Sequence, residues 1–249
     1  MADSSILVAI LLAIASLLYA TVGQAGGTAF VAVMAFAAFP ASEIRPTSLT
    51  LNILAASYAT WRLHRHGAID WRLFRALALA SVPAALIGGL VVLDSSLYLT
   101  VTGGLLLLAA ILMIVRAKAD GIEVRTLPWF PTMVAGGAAG FLSGLTGVGG
   151  GVFLAPLIIV LGWASPLRAA GLSAPFILVN SILGLVGVLL VGQRPASDVV
   201  FFAFAALTGA TVGTFVGLRF MSPTATRYVL ALILVLGGVQ MLATALRAS

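Results

Sequence analysis

The chain has 249 residues, of which 61% are hydrophobic and only 8% are charged. A soluble domain carries roughly a quarter charged residues to keep its surface wetted, so this composition excludes a soluble fold. The net charge of +6 does not indicate nucleic-acid binding, because the basic residues lie between apolar runs, where they orient a membrane protein. The chain has no cysteine, which excludes disulfides, thiolate metal sites and thiol catalysis.

The predicted elements, taken in chain order, are long apolar runs. About 20 apolar residues cross the hydrocarbon core as a helix, and these runs are continuously apolar rather than alternating, which favours helices over strands. The first run has no basic segment before it, so we expect a membrane segment and not a signal peptide. The predicted spans are 4–22, 46–63, 74–93, 97–115, 129–147, 167–191, 199–218 and 228–246. The sequence therefore predicts an all-α polytopic membrane protein with about eight transmembrane segments.

Two stretches, 4–42 and 126–167, contain no charged residue, and each is about twice as long as one crossing needs. Glycines interrupt each stretch near its middle, and a short apolar run follows. Such a run, as a helix of about 18 Å, is too short to cross. We predict a span, a break inside the membrane and a half-length helix, which either returns as a re-entrant hairpin or completes one broken crossing. The breaks are 23–27 and 147–151, and the short runs are 28–39 and 152–161.

The two halves of the chain share landmarks in the same order. Residues 41–45 (Ala-Ser-Glu-Ile-Arg) resemble residues 164–168 (Ala-Ser-Pro-Leu-Arg), and Asp70 and Asp198 each precede a later span. Secondary transporters are commonly built by such internal duplication. The repeats are inverted if the half-helices are re-entrant, and parallel if each is part of a broken crossing. The predicted units are a first membrane repeat at 1–115, a hydrophilic linker at 116–128 and a second membrane repeat at 129–249.

Small and basic residues predict packing and orientation. Gly209, Gly213 and Gly217 recur every four residues, so they line one helix face and let a neighbouring helix approach closely. The basic loops at 62–75 and 116–125 are two spans apart, so both are expected on the cytoplasmic side.

The glycine breaks predict an anion site. A break at membrane depth exposes backbone groups that lipid cannot satisfy, so it is tolerated inside the protein or at a watery cavity. A half-helix that begins there points its positive N-terminus at an anion without needing a buried basic side chain. The alternative is that the glycines only permit tight helix packing. The predicted substrate-binding residues are Gln24, Gly26, Gly27, Thr28, Asn52, Thr146, Gly149, Gly150, Gly151 and Asn180.

Arg45 and Arg168 occupy matching positions just beyond the half-helices. They either recruit anions towards the cavity or anchor the protein at the interface by snorkelling. All carboxylates fall at span ends or in loops, so the spans offer no acidic proton relay. Because a zinc-protease motif, paired membrane aspartates and a positioned base are all missing, we expect no enzyme, no metal and no cofactor. A membrane scaffold without transport activity would leave the paired breaks unexplained.

The sequence resembles the TauE/SafE family of membrane permeases, the sulfite exporters, along nearly its whole length. The resemblance lies in both glycine breaks, in the arginine after each Ala-Ser pair and in residues 66–70 (His-Gly-Ala-Ile-Asp). Its strongest part is 144–151 (Gly-Leu-Thr-Gly-Val-Gly-Gly-Gly), followed by Pro156. The first break departs from the more glycine-rich family pattern.

The resemblance implies a transporter of a small sulfur-containing anion, such as sulfite or an organosulfonate, and most simply an exporter. We expect it to be a multi-pass protein of the plasma membrane, with the anion bound near the midplane between the two breaks. A carboxylate or an inorganic anion is the alternative substrate. The implied partners are that anion and the lipid bilayer, with no nucleic acid, and a homodimer is left open.

Overall fold

The computed structural model describes residues 2–115, 129–220 and 223–248. These residues form α-helices joined by short loops, and the described part of the chain contains no strand. The helices are α1 (Ala2–Ala20), α2 (Gly27–Phe36), α3 (Ala41–Arg65), α4 (Trp71–Leu90), α5 (Ser95–Val115), α6 (Trp129–Thr146), α7 (Gly151–Val160), α8 (Pro166–Leu190), α9 (Val199–Phe220) and α10 (Pro223–Ala248).

The all-helical polytopic fold is confirmed. Every predicted span coincides with one long helix, and the two predicted half-helices are α2 and α7, each of 10 residues. The linker predicted at 116–128 lies outside the described residues. Within the described residues, the helices that are long and apolar enough to cross a membrane by themselves are Trp71–Leu90, Arg168–Leu190 and Val199–Gly217, so the count of eight spans stays a prediction.

The outer surface of the helices is apolar, as a lipid-facing surface must be. On α9, for example, Phe204 is 68% exposed and Val200 is 65% exposed, whereas Phe202 and Ala206 on the opposite face are fully buried. A soluble monomer rarely exposes a contiguous apolar patch of this kind, because large apolar side chains are stabilised by leaving water. A helix that is apolar on both its inner and outer faces is typical of a membrane span.

Glycine rows bring pairs of helices into backbone contact. A Cβ added at Gly209, Gly213 or Gly217 of α9 would overlap a carbonyl oxygen of Ala13, Leu17 or Thr21 respectively. The predicted packing role of this row is therefore confirmed. The residue numbers of the contacting pairs increase in the same direction along both helices, so α1 and α9 run parallel.

A second glycine row joins α6 to α4 in the same way. A Cβ added at Gly136, Gly140 or Gly144 would overlap the carbonyl oxygen of Leu77, Ser81 or Ala85 respectively. These two helices are also parallel. Each of the closest glycine contacts thus joins one helix from the first half of the chain to one from the second half.

The matching helices α3 and α8 run in opposite directions. Leu49 of α3 lies beside Gly184 of α8, while Leu63 packs in one cluster with Ala174. Helices α5 and α10 are antiparallel as well, because Gly103 faces Met241 whereas Leu107 faces Gly238. Antiparallel counterparts favour the inverted arrangement of the two predicted repeats over the parallel one.

Helix α2 turns back alongside α1. The hydroxyl of Thr28, at the start of α2, bonds to the hydroxyl of Tyr19, at the end of α1. Both helices then line one apolar cavity of about 410 Å³, α1 with side chains from Leu11 to Leu18 and α2 with side chains from Ala29 to Phe36. This geometry is that of a re-entrant hairpin rather than a single broken crossing.

Candidate functional site

The two glycine breaks meet in the interior of the protein. The first break is residues 23–27 and the second break is residues 147–151, so Gly27 and Gly151 are also the first residues of α2 and α7. A Cβ added at Gly27 would stand 2.7 Å from the carbonyl carbon of Val148, so the start of α2 touches the second break. Residues 24–31 and 143–152 are all buried. Two segments far apart in the sequence therefore form one central contact.

The half-helices begin at glycines in the left-handed backbone conformation. The residues that precede α2 and α7 are Gly26, with φ 108°, and Gly150, with φ 77°. Glycine adopts this conformation without the steric cost that a Cβ imposes. Neither start has a side-chain cap, whereas Asp70 caps α4 through the N–H groups of Arg72 and Leu73 at 3.1 Å.

An uncapped start leaves the N–H groups of the first helical turn without an intrahelical acceptor. The positive ends of the two helix dipoles add to these N–H groups. Because the breaks are in contact, both sets of donors lie in the same buried region. This arrangement is what the sequence predicts for an anion site built from backbone.

Asn52 lies between the two breaks. Its Nδ2 donates to the Gly147 carbonyl oxygen at 3.3 Å, and its Oδ1 has no partner. A Cβ added at Gly149 would stand 3.0 Å from the same Nδ2, and one added at Gly27 would overlap it. The carboxamide thus occupies the place where the two positive helix ends come together.

Ser48 is a contact that the sequence analysis missed. Its hydroxyl lies 2.9 Å from the Gly147 carbonyl oxygen and 3.3 Å from the Gly27 carbonyl oxygen, so it ties α3 to both breaks. Ser48 precedes Asn52 by one helical turn and lies on the same face of α3. That spacing was the signal available in the sequence.

The other predicted polar residues are less free than expected. Thr28 donates to Tyr19, and Thr146 donates to the Leu142 carbonyl oxygen at 2.6 Å, so both hydroxyl protons are already used. Asn180 donates to the Phe176 carbonyl oxygen of its own helix at 2.8 Å.

Besides that of Asn52, two side-chain carbonyl groups among the predicted residues have no hydrogen-bond partner. The Gln24 Oε1 and the Asn180 Oδ1 are buried without a partner. Gln24 belongs to the first break itself. Substrate binding by the predicted residues stays a prediction.

Arg45 is fully buried, with 1% of its surface exposed, and it bonds to backbone. Its guanidinium donates to the carbonyl oxygens of Val91, Gly88 and Gly89 at 2.9–3.2 Å, and to that of Gly144 at 3.0 Å. The first three carbonyls lie at the C-terminal end of α4, where a cation is stabilised by the helix dipole. Arg45 therefore holds α4 and α6 together, and its predicted role in recruiting anions stays a prediction.

A cavity of about 240 Å³ lies beside Arg45. Tyr98 and Asp94 also line it. The Tyr98 hydroxyl donates to the Thr146 carbonyl oxygen at 2.9 Å, and Thr146 is the residue directly before the second break. Tyr98 thus connects this cavity to the second break. Arg168, the counterpart of Arg45 in the second half, is exposed instead. The two arginines thus have different environments although their sequence positions match.

Within the described residues, no group of three or more histidine, aspartate or glutamate side chains is placed to hold a metal ion. The donors at the breaks are amides, hydroxyls and backbone N–H groups. Such donors suit a small anion better than a metal cation.

Comparison with known proteins gives one family. A family model described as Sulfite exporter TauE/SafE matches residues 7–241. A probable membrane transporter protein of Sinorhizobium fredii is 33% identical over 231 residues, which cover 91% of this chain and 94% of that protein. Probable membrane transporter proteins of Haemophilus influenzae and Methanocaldococcus jannaschii are 26% and 28% identical, over 60% and 57% of this chain and 61% and 54% of their own lengths. No solved structure matches this chain.

Proposed function

Because the chain belongs to the sulfite exporter TauE/SafE family and is a membrane transport protein, we propose that it exports a small sulfur-containing anion. Sulfite is the substrate that the family description names, and organosulfonates are the related anions that the sequence resemblance implies. The proposal places the protein in the plasma membrane as a multi-pass permease, with the bilayer and the anion as its partners. A permease of the same fold for a carboxylate or another inorganic anion is the second candidate, because backbone donors do not distinguish these anions strongly.

The observation that carries the proposal is the meeting of two uncapped helix starts in a buried region. Helix N-termini attract anions through their free N–H groups and their positive dipole ends. Transporters use half-helices in this way at the membrane midplane. Neither half-helix contains a charged residue. This neutral site supports binding of an anion that must also leave again.

Transport requires the two breaks to separate. In the present arrangement Gly27 touches Val148, and Asn52 fills the space between the breaks. An anion enters only when α2 moves away from the second break and the carboxamide of Asn52 turns aside. The antiparallel directions of α3 and α8 support an inverted pair of repeats, in which each break faces one side of the membrane in turn.

The membrane potential favours the proposed direction of transport. Moving one negative charge out of a cell with a negative interior is favourable by about 2.3 kcal/mol for each 100 mV. This gain supports a uniporter driven by the membrane potential, and the carboxylates at helix ends, such as Asp70 and Asp94, are consistent with it.

The proposal is tested by measuring anion flux in liposomes that contain the purified protein. Sulfite, sulfoacetate and thiosulfate are compared with acetate and chloride. We expect the sulfur oxyanions to move faster than the other anions and faster than in empty liposomes. Equal flux of acetate would favour the second candidate, and no flux of any anion would refute the proposal.

A variant pair tests the site itself. Gly150→Ala places a Cβ 3.0 Å from the Ala139 carbonyl oxygen and from the Ser143 Cβ, and Gly192→Ala has the same left-handed strain but open space around it. Both substitutions carry the backbone cost, but only Gly150→Ala crowds the start of α7. Only this variant should therefore reduce flux. Equal flux from the two variants would show that the start of α7 does not take part in transport.

A further inference from the structure

Two serine side chains lie against the start of α7. A Cβ added at Gly149 would stand 3.3 Å from the Ser181 Oγ, and one added at Gly150 would stand 3.0 Å from the Ser143 Cβ. Both serines are fully buried. Helix α8 therefore places a hydroxyl, and helix α6 the side chain of a serine, beside the N-terminal end of α7.

Neither hydroxyl has a hydrogen-bond partner. Buried hydroxyls are ordinarily bonded, and a serine within a helix ordinarily bonds to the carbonyl one turn before it. Ser173 on α8 does so, at 2.9 Å from the Ala169 carbonyl oxygen. Ser143 and Ser181 do not, so their protons are available to an acceptor outside their own helices.

The start of α2 lacks this property. Two hydroxyls lie at that end, and both already have acceptors: Thr28 donates to Tyr19, and Ser48 donates to backbone carbonyl oxygens of the two breaks. The second break also holds more left-handed glycines, with Gly149 and Gly150 adjacent at φ 89° and 77°. The two helix starts are therefore unequal: α7 offers free donors from backbone and side chains, and α2 offers them from backbone alone.

We propose that Ser143 and Ser181 form, with the first turn of α7, the tighter half of the anion site and donate to two oxygens of the bound anion. This inference rests on the proposed transport of an anion. Two hydroxyls from different helices, beside a set of backbone N–H groups, match an oxyanion with several terminal oxygens. A halide ion accepts only from donors that converge on one point, whereas an oxyanion presents its acceptor oxygens at separate points, so donors on two different helices favour the oxyanion.

Two side chains cover this half of the site in the present arrangement. Methyl groups of Ile177 would lie 2.8 Å from a Cβ at Gly149 and 2.6 Å from one at Gly151. Ile177 and Ser181 are one turn apart on α8, so a rotation of α8 that withdraws the isoleucine also moves the hydroxyl. Asn52 covers the other side, with its unpartnered Oδ1 next to the breaks. Binding therefore exchanges a covered site for one in which both hydroxyls are satisfied.

The test compares Ser143→Ala and Ser181→Ala with the matched control Ser81→Ala in the full-length protein. Ser81 is equally buried and its hydroxyl also lacks a partner, but it lies on α4. We measure the KM of sulfite flux in liposomes and the thermal midpoint of each protein in detergent. Each test variant should raise KM about tenfold, the effect of losing one hydrogen bond to a charged group. The control should stay within about twofold, and no midpoint should fall, because an unpartnered hydroxyl contributes nothing to the fold.

Four outcomes overturn the inference. If the wild type moves sulfite and both test variants keep KM within twofold of its value, the two serines do not bind the anion. The proposed function would then still stand. A fall in the thermal midpoint together with flux would show a structural role. If added chloride inhibits sulfite flux as strongly as added sulfate does, the site does not prefer an oxyanion. If the wild type moves no anion and no anion raises its midpoint, the proposed function fails and the inference fails with it.

Discussion

Replacing Gly27 with alanine tests whether the contact between the breaks is needed for the transport cycle. The new Cβ would stand 2.7 Å from the Val148 carbonyl carbon and closer still to its oxygen. Non-bonded carbon atoms prefer about 3.5–4.0 Å, so the breaks must move apart by about 1 Å. Overpacking of this kind costs about 1–3 kcal/mol. Gly27 is the first residue of α2, so alanine there gains at most about 1 kcal/mol in helix propensity.

Gly104→Ala supplies the control for the helix propensity. Gly104 lies in α5 with nothing within 4 Å of an added Cβ, so alanine gains the propensity without the overlap. The thermal midpoint in detergent should be lower for Gly27→Ala than for Gly104→Ala, by about 2–4 °C for each kcal/mol. Sulfite flux should fall only in Gly27→Ala, since the closed contact can no longer form. Wild-type flux and midpoint in Gly27→Ala would refute the reasoning.

Two further predictions concern side chains that hold the second break. Arg45→Lys should lower the thermal midpoint by the equivalent of about 2–4 kcal/mol, because an ammonium cannot reach all the carbonyls to which the guanidinium donates. The control Arg168→Lys, at an exposed position, should change stability by less than about 0.5 kcal/mol. Equal midpoints for the two variants would contradict the buried role of Arg45. Tyr98→Phe removes the bond to the Thr146 carbonyl and should cost about 1 kcal/mol with a changed KM for sulfite; a variant with wild-type kinetics would separate Tyr98 from the site.

Much of the fold could be predicted because apolar runs and glycines act locally. The half-helix predicted at 152–161 is Gly151–Val160, and the one predicted at 28–39 is the shorter Gly27–Phe36. Helix α2 ends before residue 39 because the chain turns at Ala38, with φ 58°, just ahead of Pro40, the residue that precedes α3. Proline restricts the residue before it and fits the start of a helix better than its interior.

The contacts of the site could not be predicted because they join distant parts of the chain. Arg45 bonds to carbonyls that lie 43–46 and 99 positions away, and backbone carbonyls leave no mark in the sequence. Ser143 and Ser181 look like ordinary small residues in apolar helices. Their importance depends on hydroxyls that have no bond, and only the packed structure shows it.

The pairing of the glycine rows has a consequence for how the protein is made. Helix α1 packs on α9, and α6 packs on α4, so the halves are interleaved through backbone contacts. The first half therefore enters the membrane with the partner face of α1 empty until α9 has been synthesised. Assembly of the bundle is completed late, after nearly the whole chain has left the ribosome. In the proposed transport cycle, helices that move as one body would therefore combine parts of both halves, and this body would differ from either predicted repeat.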